Sequence, residues 1–303
     1  MITKDQNVKI PKNAMVTVTV MNHIIEVMHM ERRNRKATIK KLDKHTYIKL
    51  STGELKEFNH SENREQNLNS LRQSFKKIRE IINSNFEGKP NEKHLILTYK
   101  ENMTDHKKLY ADLKKFVMAL KYHFKDKTTI DYFTVPEPQG RGAWHAHMLL
   151  RFNQLESVWL PDELLKRIWT HGFSKTKALA GVDNIGAYLS AYLSDVELTQ
   201  ENFMDLEFQE VKVKNVEGHE KRFAKGARLH MYPPGMNLFR RSRGIVDPLK
   251  LEISYESVKK KIVESATPHY SQRYVIEHND FSNVIQYEQY NTKRKIDTCP
   301  DLL

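Results

Sequence analysis

Only one cysteine, Cys299, stands among the 303 residues. A disulfide framework and cysteine-rich zinc sites are therefore excluded, and a reducing cytoplasm is the expected compartment. No run approaches the 18 apolar residues of a membrane span, and the polar start from Met1 to Lys12 has no apolar h-region. Neither export nor a membrane anchor is expected. No G-x-x-x-x-G-K-[ST] stretch occurs, which argues against a fused ATP-driven helicase. Internal repeats and low-complexity segments are also missing.

Charge is abundant and of one predominant sign. Fifty Lys and Arg against 38 Asp and Glu give +12, a balance that favours a polyanionic partner such as nucleic acid. At 39% hydrophobic and 29% charged residues the chain reads as a polar globular protein with length enough for a core.

Three segments are expected. Residues 1–90 are β-rich, with β-branched runs at 16–20, 24–27, 37–39 and 46–50, followed by an amphipathic helix from about Ser61 to Phe86. The basic knot Arg32 to Lys36 between two of the strands is either a solvated tip or a phosphate contact. The turn residues Gly88 and Pro90 suggest a border. Residues 91–197 then read strand (94–99), helix (to about Phe124), two hairpin strands (129–135 and 144–152), helix (161–169), strand (173–178) and a last helix from Asp183 or Asn184 to Asp195. This order predicts an α+β fold, a ferredoxin-like antiparallel sheet with helices. Residues 198–303 form a basic α+β region.

The stretch Glu137-Pro138-Gln139-Gly140-Arg141-Gly142-Ala143-Trp144-His145-Ala146-His147 reads as a hairpin turn with its flanks. Side chains alternate along a strand, so His145 and His147 share a face, and Glu137 lies level with them across the turn. Two imidazoles and a carboxylate suit a divalent metal. With 14 histidines, chance alone supplies about 0.6 H-x-H pairs, so the pair needs support from its surroundings. That support comes from the last helix, where Tyr188 and Tyr192 are spaced i, i+4 and face the same way. Tyr270 and Tyr274 repeat the spacing in a strand-like segment, where it need not bring the hydroxyls together.

Residues 211–245 carry a net +7, with Lys225, Arg228, Arg240, Arg241 and Arg243 among the cations and Phe223, Tyr232 and Phe239 interleaved. Cations track phosphates and aromatic faces accept unstacked bases, which suits single-stranded DNA. Arg141, in the hairpin turn, joins the candidate DNA contacts. A solvated loop and edge strand fit the same composition.

Leu95-Ile96-Leu97-Thr98-Tyr99, Glu137 with His145-Ala146-His147, and Tyr188 to Leu193, in that order, resemble the HUH superfamily of single-strand DNA nucleases. Within it the chain is similar to rolling-circle replication initiators of Gram-positive plasmids, mobile elements and filamentous-type phages. The resemblance implies nicking of single-stranded or hairpin origin DNA through a 5′-phosphotyrosine, with Mg²⁺ or Mn²⁺ held by Glu137, His145 and His147. It implies Tyr192 as nucleophile, with Tyr188 as a second nucleophile or a packing residue. A host helicase and DNA polymerase are the implied partners. Many relatives carry lysine just before the second tyrosine and four residues later, where this chain has Ala191 and Asp195. Lys175 and Lys177 are the expected substitutes. An HUH-type transposase and a non-catalytic DNA-binding regulator are the alternatives. A non-haem iron oxygenase, which shares the two-histidine, one-carboxylate set, is disfavoured by the helices between strands.

Overall fold

The computed structural model describes residues 2–33, 37–43, 45–58, 68–139, 142–194, 196–197, 211–216, 219–224, 231–233, 235–264, 266–278 and 281–293. The chain divides into two units, residues 61–247 and residues 1–60 with 248–303.

In the first unit the described elements are α1 (Leu68–Asn85), β1 (Glu92–Tyr99), α2 (His106–His123), β2 (Ile130–Pro138), β3 (Trp144–Phe152), α3 (Asp162–Ile168), β4 (Gly172–Ala178) and α4 (Ile185–Ser194). The strands lie in the order β4-β1-β3-β2, all antiparallel, and the two-residue strand Arg240–Arg241 pairs with the far side of β2. This is the β-α-β-β-α-β arrangement that the sequence predicts, within an α+β architecture.

Alternation along β1 divides the work of the sheet. Leu95, Leu97 and Tyr99 are buried on one face, together with Ala146, Met148 and Leu150 of β3. Helix α2 covers that face with Leu109, Leu113, Phe116 and Leu120. The Phe124 ring packs edge-on to Phe152, and Tyr99 Oη donates to the buried Asp112 at 3.0 Å. Asp105 caps α2 by accepting from the backbone of Lys107 and Lys108.

The opposite face carries His94, Ile96, Thr98, His145 and His147, and α4 packs over part of it with α1 alongside. Helix α4 starts where Asn184 Oδ1 accepts from Ala187 N at 2.9 Å. Asn83 of α1 ties the two helices by donating to Asn184 Oδ1 and accepting from Gly186 N. A Cβ on Gly186 would sit 2.5 Å from Arg79 O and 2.8 Å from Asn83 Oδ1. Only glycine lets the helices approach this closely. Gly186→Ala is expected to cost about 1–3 kcal/mol, the usual penalty of overpacking, read as a lower denaturant midpoint at unchanged slope.

The turn at Gly88 and Pro90 lies inside this unit, since α1 contributes Ile78, Ile81, Ile82 and Phe86 to the same core as β1. It is fastened locally: the buried Glu92 carboxylate accepts from the backbone N–H groups of Glu87, Gly88 and Lys89.

The second unit unites the two chain ends. Its six strands, Ile2–Asp5, Tyr270–His278, Phe281–Asn291, Ile24–Met30, Met15–Met21 and Leu249–Ser254, lie in that spatial order in one antiparallel sheet. Tyr270 and Tyr274 lie on the first residue and the fifth of one strand, about 13 Å apart along it. Arg33, from the basic knot, pairs with Glu252 at 3.0 Å; residues 34–36 lie outside the described residues.

Candidate active site

Strand register builds the site in rows. Glu137, His145, Thr98 and Phe173 form one row across β2, β3, β1 and β4. Val135, His147, Ile96 and Lys175 form the next, and Phe133, Leu149, His94 and Lys177 the third. All twelve side chains belong to one face, because directly opposed residues in an antiparallel pair point the same way. The sequence expectation that Glu137, His145 and His147 share a surface is met by the register.

His147 is the centre of the polar network. Its Nε2 is hydrogen-bonded to Glu137 Oε2, and its Nδ1 lies 2.9 Å from His94 Nε2. The carboxylate only accepts, so His147 carries its proton on Nε2 and His94 donates to Nδ1. That leaves His94 Nδ1 as a bare acceptor, buried and with no hydrogen-bond partner among the described residues. The His94 and His147 rings stack with centroids 5.2 Å apart, and the Tyr188 ring meets His94 edge-on at 6.2 Å. Burial, then the neighbouring His147, then the Lys177 charge push His94 down to about 3. Burial and Lys177 likewise hold His147 below its ordinary value. Both imidazoles are thus neutral near pH 7, the form in which imidazole binds metals.

Among the described residues no three His, Cys, Asp or Glu side chains already surround a common point at ligand distances. Glu137 and His94 are instead bonded to the two nitrogens of His147. The donor chemistry nonetheless fits a divalent ion: neutral imidazoles, a buried carboxylate, and His145 in the same row as Glu137.

His94 is the residue that motif reading missed. It sits in β1, 53 residues from its partner, and belongs to no H-x-H pair. Its signal was the alternation of His94, Ile96 and Thr98 against Leu95, Leu97 and Tyr99, which places an imidazole on the histidine face.

Among the tyrosines, Tyr188 is on this face, and Tyr192 lies one turn further along α4, its side chain outside the described residues. Lys177 lies directly opposite His94, and Lys175 opposite Ile96.

The candidate DNA contacts separate. Tyr232 is a correction: it is 1% exposed, and its ring packs with Phe75 and Trp144. Its Oη lies 2.9 Å from Leu193 O and 3.2 Å from Pro136 O. The hydroxyl thereby serves a carbonyl in the last turn of α4, which has no helical donor of its own. Arg240 stacks over Tyr110, and Arg241 is held bidentately by Asp247. Arg243 is exposed. Arg141, Lys225 and Arg228 lie outside the described residues.

A ferredoxin-like sheet carrying a histidine–carboxylate cluster beneath a tyrosine-bearing helix defines the structural class of this unit. Residues 92–197, which are its sheet and α4, match a family model described as a replication-associated protein of the ORF2 type. No curated protein and no solved structure gives a significant match to the chain. No helix among the described residues is long and apolar enough to cross a membrane.

Proposed function

We propose that the chain is a replication initiator that nicks single-stranded origin DNA by tyrosine transesterification. The observation that carries this reading is the Tyr188 ring edge-on to His94, on the face shared by Glu137, His145 and His147. The match of residues 92–197 to a replication-associated family supports it.

Glu137, His145 and His147 would hold Mg²⁺ or Mn²⁺, which supplies Lewis-acid stabilisation of the phosphate's non-bridging oxygens. The remaining work falls to the protein. A tyrosine Oη attacks phosphorus, the phosphorus–O3′ bond breaks, and the phenolic proton goes to solvent or a base while the leaving oxygen is protonated to a free 3′-hydroxyl. The phosphodiester is exchanged rather than hydrolysed, so its energy is kept for rejoining. Lys177, beside the two inner histidines, balances charge on the phosphate, with Lys175 one row away. His94 is a positioning residue, fixing the His147 ring from behind as partners of ligating histidines do. The released 3′-hydroxyl serves as a primer for a host polymerase, and strand separation falls to a host helicase.

The test is incubation of the protein with hairpin and single-stranded oligonucleotides. An SDS-stable protein–DNA adduct is expected with Mn²⁺ and not with EDTA. DNA binding without any adduct would favour the non-catalytic regulator and overturn the nuclease reading.

A further inference from the structure

The edge strand β4 has features that the cleavage chemistry does not use. Phe173 is 71% exposed, an unusual state for a phenylalanine on a sheet face. It lies in the same cross-sheet row as Glu137 and His145, and Lys175 and Lys177 follow it on the same face. At the His94 end this face is closed, with His94 and Leu149 buried. Towards Phe173 it opens: Ile96, Thr98 and His145 are partly exposed, and Lys175 is exposed. Strands are spaced about 4.8 Å apart, so Phe173 lies two strands, about 10 Å, from His145.

We infer that β4 is the track on which the single strand enters the site, with Phe173 as a stacking platform for a base flanking the reacting phosphate. The inference rests on the nuclease reading above and deepens it. Three side chains on one face of one strand, in the order aromatic, cation, cation, match one nucleotide's needs: a flat apolar face for the base and positive charge for the backbone. Duplex DNA keeps its bases stacked inside and has none to offer Phe173, so the platform selects single strands without reading sequence. The protein's charge of +12 favours the same polyanion.

The experiment is fluorescence anisotropy with a labelled 20-nucleotide mixed-sequence single strand and its duplex, in EDTA so that cleavage plays no part. Phe173→Ala is expected to weaken single-strand binding about 10-fold, the scale of one base–aromatic stack, and to leave duplex binding unchanged. Phe173→Trp restores the affinity. Trp159→Ala, which removes an aromatic 82% exposed outside these rows, leaves it unchanged and serves as the control. Wild-type single-strand affinity in both Phe173→Ala and Trp159→Ala overturns the platform while leaving the nuclease reading intact. An equal loss in both variants also overturns it. Failure of the wild type to bind any single strand removes both readings. A changed oligomeric state of Phe173→Ala by light scattering, with DNA binding unaltered, assigns the exposed ring to a second copy of the chain instead.

Discussion

His147→Ala is expected to abolish the metal-dependent adduct, lowering its rate by on the order of 10³-fold or more. Truncation removes the one imidazole that is bonded to both Glu137 and His94. A candidate ligand is lost, and a buried carboxylate is left without its histidine partner. The second effect also lowers stability, because a buried acceptor deprived of its donor keeps its desolvation cost. Activity alone therefore does not separate the two contributions. Mn²⁺ affinity measured by calorimetry, beside a thermal midpoint for the metal-free protein, does so. His145→Ala, which alters a partly exposed ring, is expected to lose Mn²⁺ affinity with little change in midpoint. His94→Phe is expected to weaken Mn²⁺ binding about 10- to 100-fold, as removal of groups supporting a ligand does. Unchanged Mn²⁺ binding in all three variants would remove these side chains from any metal site.

The hairpin was legible because its signals are local: an alternating strand, a proline–glycine turn and two histidines two residues apart. His94 was illegible as a site residue because its meaning comes from β1 pairing with β3, which places it diagonally beside His147. The second unit shows the same limit at larger scale. Strands near residues 16–20, 24–27, 270–277 and 284–290 could each be read from composition, but their union in one sheet depends on pairings such as Ile2 with Ile276. Nothing local encodes that register. Tyr232 shows the converse failure. A tyrosine in a basic, turn-rich stretch suggests a base-stacking surface, yet the ring fills the core and its hydroxyl serves two carbonyls. Composition recorded the neighbours along the chain, while burial was decided by β2 and α4.

Tyr232 also bears on which tyrosine reacts first. Its hydroxyl lies between Leu193 O in the last turn of α4 and Pro136 O, the neighbour of Glu137. Helix α4 therefore runs from above His94, where Tyr188 makes its ring contact, to the Glu137 end of the sheet, where the backbone of Tyr192 lies beside Leu193. One helical turn, about 5.4 Å, separates the two positions. The two phenols thus serve opposite ends of the histidine–carboxylate cluster, an arrangement suited to cleavage by one and strand transfer to the other. Tyr192→Phe is expected to lower first-strand adduct formation by more than about 10³-fold, since the nucleophile is gone. Tyr188→Phe is expected to form the first adduct within about 10-fold of wild type and to fail at joining a second oligonucleotide. Mass-spectrometric mapping of the adducted peptide, paired with a two-oligonucleotide joining assay, measures both. A full adduct in Tyr192→Phe mapped to Tyr188 would reverse the roles, and joining undiminished in Tyr188→Phe would make that ring a packing partner of His94.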